Sequence, residues 1–417
     1  MSTNQVTLRR TPVTWAIYGA IGAWAAFVYL SGPVSPILVD DLGVTAAATG
    51  LVGTAMAVGS ITAAAMAQAL LRRLGRDGVM RLGLGIAAAA IAGLATLPRL
   101  LDGWAGFAVV LLLVWAAAVG GTLTLNVGTA RLSDMHPAHS ATTITEANAT
   151  AAWVGFFSPL VLGAALGAGL GWWVGYAVAL LLALAALGAL ILANRSDRPH
   201  EDHPHQTLVV ADEVYEAPES DESAATGAAD VVPTPLPRGF WVAMLALFAA
   251  VGTEFAINFL GSPLIQDHTG ASASEATSAL AASILGVAVG RTFGTRVTRG
   301  LGPHRTLIAG FALTLVGFAV LWTAQLLAVA VVGLFVGGLG LATLFPLIID
   351  RGIGLSGGHP DLAMSRATLI TGVATGGAPF ALTALGAVIS VSTAMLLVPV
   401  LIGAGLVGVI ASKPAVQ

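Results

Sequence analysis

Long apolar runs, separated by short segments rich in glycine, proline and charge, recur along the whole chain. Each run has about 20 residues, the length that an α-helix needs to cross the hydrocarbon core of a bilayer. With glycine, proline and charge as boundaries, the pattern predicts twelve membrane-spanning helices, which we call spans 1 to 12. Their approximate ranges are 13–38, 46–71, 79–99, 104–130, 141–168, 171–194, 239–264, 273–298, 303–324, 327–349, 364–389 and 391–412.

The composition excludes an ordinary soluble domain. Of the 417 residues, 56% are hydrophobic and only 9% are charged, whereas soluble domains carry roughly 25% charged residues. The chain has no cysteine, which excludes disulfides and thiolate metal sites. It also lacks a Walker-type phosphate-binding sequence, so we expect neither ATP hydrolysis nor a cofactor. The predicted fold class is therefore an all-α membrane protein.

The basic residues indicate how the spans are oriented. When the amino terminus is placed in the cytoplasm, 17 of the 18 basic residues fall in cytoplasmic segments, and only Arg99 falls on the other side. An excess of lysine and arginine is typical of cytoplasmic loops. We therefore expect a multi-pass protein, of a bacterial plasma membrane, with both termini in the cytoplasm.

Two segments that lie 227 positions apart share an unusual set of residues. Segment 35–43 reads SPILVDDLG and segment 262–270 reads SPLIQDHTG, so that Ser, Pro, Asp and Gly coincide. At the same offset Gly75 corresponds to Gly302. These residue types are not the ones that chance similarity between apolar helices would match, so the chain contains an internal repeat.

The repeat divides the chain into two six-helix halves of the same topology, residues 1–194 and 239–417. The linker between them, 195–238, holds ten of the 21 acidic residues, and we expect it to be cytoplasmic and disordered. Two parallel halves with a substrate site at their shared interface are typical of one large class of secondary transporters.

Several short motifs resemble those of one transporter family. The loop after span 2 carries RLGR at residues 73–76, span 7 contains VGTEFAINFL, span 8 contains GRTFG, and span 10 contains TLFPLII. Together they resemble the major facilitator superfamily, and within it the fucose-permease-like branch. The resemblance implies twelve spans in two pseudosymmetric halves, alternating access, and a cavity formed by spans 1, 4, 7 and 10. The positions that hold membrane carboxylates in fucose permease hold Tyr29 and Thr122 here. We therefore do not expect the proton path of fucose permease in this chain.

Glu254 is the strongest candidate for proton coupling. It lies in an apolar run about 15 residues into span 7, or roughly 22 Å along the helix axis. An ionised carboxylate at such depth costs at least ~2.5–3.5 kcal/mol, so we expect it to face the cavity, to be partnered or to be protonated. Asn258 lies one turn away on the same face and is a candidate to bind substrate. The alternative is a hydrogen-bonded structural glutamate that never titrates.

Glu146 in span 5 is the second candidate for proton coupling. It lies about two turns from the cytoplasmic start of its span, where it would act as a relay or as part of a gate. The alternative is an interfacial acid that pairs with Arg131 or with Arg366. Because Glu146 and Arg366 each lie 13 residues before the equivalent prolines 159 and 379, a pair between the halves is one form of this hypothesis.

Other polar and aromatic residues lie at the depth of the expected cavity. Trp24 and Tyr29 on span 1 and Thr122 and Asn126 on span 4 are candidates to bind substrate, with ordinary packing as the alternative for the aromatic rings. We expect a group of arginines to close the cytoplasmic side as a gate: Arg73, Arg76, Arg131, Arg291 and Arg366. Glycine ridges in span 5 (163, 167, 171) and span 8 (286, 290, 294) are expected to form the seam between the halves.

We therefore expect a secondary active transporter for a small neutral or weakly polar organic solute, coupled to protons, and no enzymatic activity. Because we expect no basic residue at mid-membrane depth, a nitrate- or phosphate-type anion site is disfavoured. Two alternatives remain open: proton-antiport efflux of drugs or amphiphilic metabolites, and a non-transporting membrane sensor. The expected partners are the small-molecule substrate, protons and the lipid bilayer, with no nucleic acid and a monomeric chain.

Overall fold

The computed structural model describes residues 8–196 and 236–412, and nearly all of them are helical. The first half forms a bundle whose long helices are joined by short turns. Its α-helices are Pro12–Val34, Ile37–Leu42, Ala46–Thr49, Leu51–Thr96, Gly103–Met135, Ser140–Gly167 and Trp173–Ser196. The expected disordered linker, 195–238, lies almost entirely outside the described residues.

The second half repeats this arrangement, with three of its spans each built from two helical pieces. Its α-helices are Arg238–Thr269, Ala273–Ala279, Ala281–Leu301, Pro303–Thr323, Leu327–Leu341, Leu344–Gly354, Pro360–Val388, Val391–Ala394 and Leu397–Ala411. Short 3₁₀ turns in the first half, Leu97–Leu100 and Pro137–His139, lead into spans 4 and 5.

Twelve crossings follow from eleven apolar stretches. Within the described residues, eleven helical stretches are long and apolar enough to cross a membrane, and one of them, Ala46–Thr96, has 51 residues. That length is about twice what a single crossing needs, and the helix is interrupted at Gly75, where φ is 63° and ψ is 177°. This region of backbone space is essentially restricted to glycine. Spans 2 and 3 therefore meet in a tight reversal at Gly75.

Backbone conformation at equivalent positions of the two halves follows the internal repeat of the sequence. Gly43 and Gly270 both end a helix in the left-handed conformation, with φ values of 63° and 67°. Gly302, the counterpart of Gly75, also has a positive φ, 79°. In each half the short helix that follows begins at a hydroxyl cap, Thr45 in the first and Ser272 in the second. The two-half architecture expected from the sequence is thus present in the turns as well as in the helices.

Spans 1 and 7 are the most buried helices and lie between the halves. In their most apolar windows 72% and 67% of the residues are buried, more than in the other spans. We call the end of the bundle at Ser196 and Arg238 the linker end, and the opposite end the far end. Contacts between the halves concentrate at the far end: Ser274 Oγ donates to the carbonyl of Gly163 at 2.6 Å, and a Cβ on Gly50 would clash with Thr383 and Phe380.

The linker end is splayed. At this end exposed residues cover more than half of the circumference of span 8 over 292–297 and of span 11 over 364–369. A helix that packs between lipid and its own bundle exposes a single face. The two halves therefore form a cleft that is closed at the far end and open at the linker end.

The glycine ridges do not both belong to the seam between the halves. Gly163 and Gly167 pack against Ser278 and Ser274 of span 8, as expected. The ridge of span 8 instead packs within the second half: a Cβ on Gly286 would lie 2.2 Å from the carbonyl of Phe335 on span 10. The expectation for span 8 was therefore wrong, because this ridge serves helix packing inside one half.

Candidate functional site

Glu254 and Tyr29 meet across the boundary between the halves. The Tyr29 hydroxyl, on span 1, donates to Oε1 of Glu254, on span 7, at 3.1 Å. Both side chains are half-buried. The carboxylate is therefore partnered and lies at the interface. Its hydrogen-bond donor, Tyr29, occupies the span 1 position at which fucose permease holds a membrane carboxylate.

A small cavity lies beside this pair. Its volume of about 10 Å³ is enough for one water molecule. Most of its wall comes from the second half, with Tyr29 as the contribution of the first. The lining residues are Tyr29, Glu254, Ile257, Asn258, Leu280, Ser283, Ile284 and Val287. Glu254 and Asn258 thus share one face and one cavity, as the one-turn spacing predicts.

Asn258 is pressed against span 1. Its side-chain oxygen is buried without a hydrogen-bond partner, and a Cβ on Gly32 would collide with that oxygen and with the Asn258 carbonyl. A buried amide oxygen without a partner is costly. Gly32 allows spans 1 and 7 to approach this closely, and Asn258 retains an unused acceptor beside the cavity.

The two aromatic residues predicted to bind substrate, Trp24 and Tyr29, pack against glycines of the first half. Trp24 stacks on Phe27, with ring centroids 5.4 Å apart, and its ring occupies the space that a Cβ on Gly121 of span 4 would need. Tyr29 lies in the same way against Gly155 of span 5. Packing therefore fixes both rings, and Tyr29 in addition presents its hydroxyl to Glu254.

The two candidates on span 4 are not part of this cavity. The Thr122 hydroxyl is 2.9 Å from the Ser60 hydroxyl of span 2, with either able to donate. Asn126, one turn closer to the linker end on the same face, is exposed. In this conformation they lie apart from Glu254 and Asn258.

Arg291 is placed differently from the other arginines assigned to the gate. It lies ten residues before Leu301, where span 8 ends, or roughly 15 Å along the helix. It is half-buried, and it shares a helix face with the cavity residue Val287. Arg291 therefore lies between the linker end of span 8 and the cavity.

Glu146 is bound within its own half. It accepts hydrogen bonds from Nε of Arg10 and from the Tyr18 hydroxyl, each at 2.9 Å. The hydrogen bond and charge of Glu146 raise the pKa of Arg10. The expected partners, Arg131 and Arg366, were wrong, because the chain segment just before span 1 supplies the arginine instead.

The remaining gate arginines do not join the halves in this conformation. Arg76 forms an ion pair with Asp134, and Arg131 forms one with Asp77 and donates to Asn194 at 3.1 Å. These bonds tie the loop between spans 2 and 3 to spans 4 and 6 of the same half. Arg73 and Arg366 are exposed.

Comparison with known proteins shows the family and the fold. The sequence model of the Major Facilitator Superfamily matches residues 16–235, which is more than half of the chain. No curated protein sequence matches this chain.

Solved transporter structures share the fold. The structure of the transporter FucP in the outward conformation has a TM-score of 0.61 at 16% identity, and covers 96% of this chain and 99% of its own. A bacterial homologue of the human lysosomal transporter Spinster, in an inward-facing and occupied conformation, has a TM-score of 0.67 at 14% identity, with 96% of each chain covered. A second structure, of the E. coli fucose:proton symporter FucP, has a TM-score of 0.60 at 15% identity, with 96% of this chain and 98% of its own covered.

Proposed function

Because the chain belongs to the Major Facilitator Superfamily, we propose that it is a secondary active transporter that carries a small organic solute and is coupled to protons through Glu254. Family and fold together indicate a transporter rather than an enzyme. The proposed setting is a bacterial plasma membrane with both termini in the cytoplasm. The linker end then faces the cytoplasm, and the cleft is open inward.

Alternating access requires that the contacts at the far end break while new ones form at the linker end. The far-end contacts suit this role, because they are made by small side chains and backbone atoms. The hydroxyl of Thr54, for example, reaches the carbonyl of Gly376 at 3.5 Å. The exposed arginines at the linker end, Arg73 and Arg366, are proposed to approach the opposite half when that end closes.

The observation that carries the proposal is the bond between Tyr29 and Glu254. A carboxylate that accepts a hydrogen bond across the interface senses the relative position of the halves. When the halves move, this bond changes, and the free energy of ionised Glu254 changes with it, because an ionised group in the membrane depends on such partners. Proton binding and conformation are thereby linked, which is the requirement for coupled transport.

Proteoliposomes that contain the Glu254→Gln variant test this function. We expect flux driven by a pH gradient to fall to background, while exchange of substrate between the two sides continues, because Gln keeps the shape of the site and cannot titrate. Glu275→Gln is the matched control: Glu275 lies at an exposed capping box in span 8, and Gln also satisfies a capping box. Uphill uptake that persists in Glu254→Gln would remove Glu254 from the mechanism.

The main rival is proton-antiport efflux, in which substrate and proton compete for Glu254. The two modes differ in sign: for a symporter, acidification of the side that holds the substrate raises uptake, whereas for an antiporter it lowers it. A sensor without transport would bind ligand and show no flux in the same vesicles.

A further inference from the structure

Arg291 is a half-buried cation without a counter-ion. Among the residues that the structure describes, no carboxylate forms an ion pair with it, whereas Arg10, Arg76 and Arg131 each have one. The buried Arg351 is satisfied by another route, since it donates to the Val409 carbonyl at 2.7 Å. A guanidinium taken partly out of water without such bonds is costly, so its partner is to be sought among the molecules that enter the cleft.

The position of Arg291 relates it to the cavity. Ser283 and Val287 line the cavity, and Arg291 continues the same helix face at one further turn. Tyr29, which also lines the cavity, donates its hydroxyl proton to Glu254. A ligand that enters from the open linker end therefore meets Arg291 before it reaches Glu254 and the unused oxygen of Asn258.

We propose that Arg291 binds the carboxylate of a monoanionic organic substrate, whose uncharged part extends toward Glu254 and Asn258. This inference rests on the proposed function and narrows its substrate class. It identifies Arg291 as a residue that determines specificity, a different role from that of closing the cytoplasmic side.

A carboxylate fits this site better than other charged groups. The planar fork of a guanidinium matches the two oxygens of a carboxylate. A phosphate monoester carries a charge of about −1.5 to −2 at neutral pH, which one arginine beside an acidic residue does not balance. A cationic substrate would be repelled by Arg291. The unpartnered amide oxygen of Asn258 further favours a substrate whose uncharged part carries a hydroxyl or amide donor.

The charges of the site link the binding of a proton to the binding of the substrate. With Glu254 protonated, Arg291 and the substrate carboxylate form a neutral pair. With Glu254 ionised, the same carboxylate lies close to a second negative charge. Proton and substrate thus strengthen the binding of each other, and such linkage is reciprocal. Coupled binding of this kind favours symport and argues against antiport.

Few other charged groups can influence this linkage. Spans 1, 8, 9, 10, 11 and 12 all contact span 7. Tyr29 is hydrogen-bonded to Glu254, and Arg291 lies one helical turn beyond the cavity residue Val287. Both belong to residue types whose ordinary pKa lies well above neutral pH. The charged groups of the other spans that contact span 7 lie at the linker end: His304, Arg305, Asp350, Arg351 and Arg366.

Ligand-induced thermal shifts of the full-length protein in detergent test the proposal. The probes are pairs of a carboxylate and its uncharged amide: lactate and lactamide, benzoate and benzamide, nicotinate and nicotinamide. We expect at least one carboxylate to raise the melting temperature more than its amide, and to bind roughly tenfold more tightly at pH 5.5 than at pH 7.5, within the usual range of coupling between sites. Arg291→Gln should abolish the preference, and Arg291→Lys should retain part of it.

Two controls keep the experiment decisive. Arg299→Gln removes an exposed arginine from the same span and should leave the preference intact. Glu254→Gln should keep the carboxylate preference and lose its pH dependence. The proposal is overturned if no carboxylate exceeds its amide, or if Arg291→Gln retains the preference. Flux that depends on Glu254 and is driven by a pH gradient would, in that case, leave the proposed transport function standing.

Discussion

The Tyr29 hydroxyl donates to the Glu254 carboxylate across the boundary between the two six-helix halves, at 3.1 Å. This bond joins the two most buried spans of the bundle, and the neighbouring pair, Gly32 and Asn258, brings their backbones together. The proposed proton site is consequently shared by both halves, and its environment depends on how they are arranged.

The first prediction concerns this bond. Tyr29→Phe removes the donor, and a hydrogen bond to a charged group contributes about 1.5–3 kcal/mol. Since the bond favours ionised Glu254, its loss should move the pH profile of uptake to higher pH by about one to two units. Initial rates of uptake between pH 5 and 9 measure this shift. The control is Tyr18→Phe, because Tyr18 lies on the same span as Tyr29 but donates to Glu146 of span 5; this variant should leave the pH profile unchanged.

The second prediction separates Glu146 from proton coupling. Because Glu146 is bound to Arg10 and Tyr18 inside one half, Glu146→Gln should preserve flux driven by a pH gradient and lower the melting temperature only slightly. Arg10→Gln should have a similar effect, and the double variant should lose less than the sum of the two, as expected for directly interacting residues. Loss of pH-driven flux in Glu146→Gln, with normal flux in Arg10→Gln, would instead include Glu146 in the proton path.

The third prediction concerns closure of the far end. A Cβ on Gly163 would come within 2.7 Å of the Ser274 carbonyl, so Gly163→Leu should hold this end apart and reduce uptake at least tenfold. The chain has no cysteine, so a single Thr54→Cys substitution reports access to the far-end seam by its rate of reaction with a maleimide. We expect faster labelling in the Gly163→Leu background.

The matched control for this substitution is Gly188→Leu. A Cβ on Gly188 in span 6 meets nothing within 4 Å, so this variant should label and transport like the parent. Unchanged labelling in Gly163→Leu would mean that spans 5 and 8 do not form the far-end seam in the membrane.

The fourth prediction concerns the reversals after spans 2 and 8. Gly75 and Gly302 have φ values of 63° and 79° with extended ψ, a conformation that costs other residues about 1–3 kcal/mol. Gly75→Ala and Gly302→Ala should each lower stability in detergent by about this amount. Gly85→Ala is the control, because its Cβ would meet open space; an equal loss in that variant would refute the explanation.

The architecture could be predicted from the sequence because the bilayer imposes a helix length that apolar runs reveal directly. The predicted ends of the spans were less accurate where a proline was taken as a boundary. Span 7 was predicted to end at 264, next to Pro263, yet its helix continues through Pro263 to Thr269 and ends at the left-handed Gly270. Proline is tolerated within membrane helices because neighbouring groups satisfy the freed backbone.

The site could be predicted only in part. An acid in an apolar run and an amide one turn away identify Glu254 and Asn258, since both signals are local. The partners could not be found in this way, because Tyr29 is 225 positions from Glu254 and Arg10 is 136 positions from Glu146. The assignment of Arg291 to the cytoplasmic gate stays a prediction, and only the structure shows that this side chain is half-buried.

The two halves are alike in their turns and different at their centre. The counterpart of Glu254 in the first half is Phe27, which is fully buried and stacked on Trp24. Glu254 is the one acid among the residues that line the cavity, so the proposed coupling would move one proton in each cycle. A cycle that moves one proton with one monoanion is electroneutral: the membrane voltage would not drive it, and each unit of pH gradient would sustain roughly tenfold accumulation of substrate.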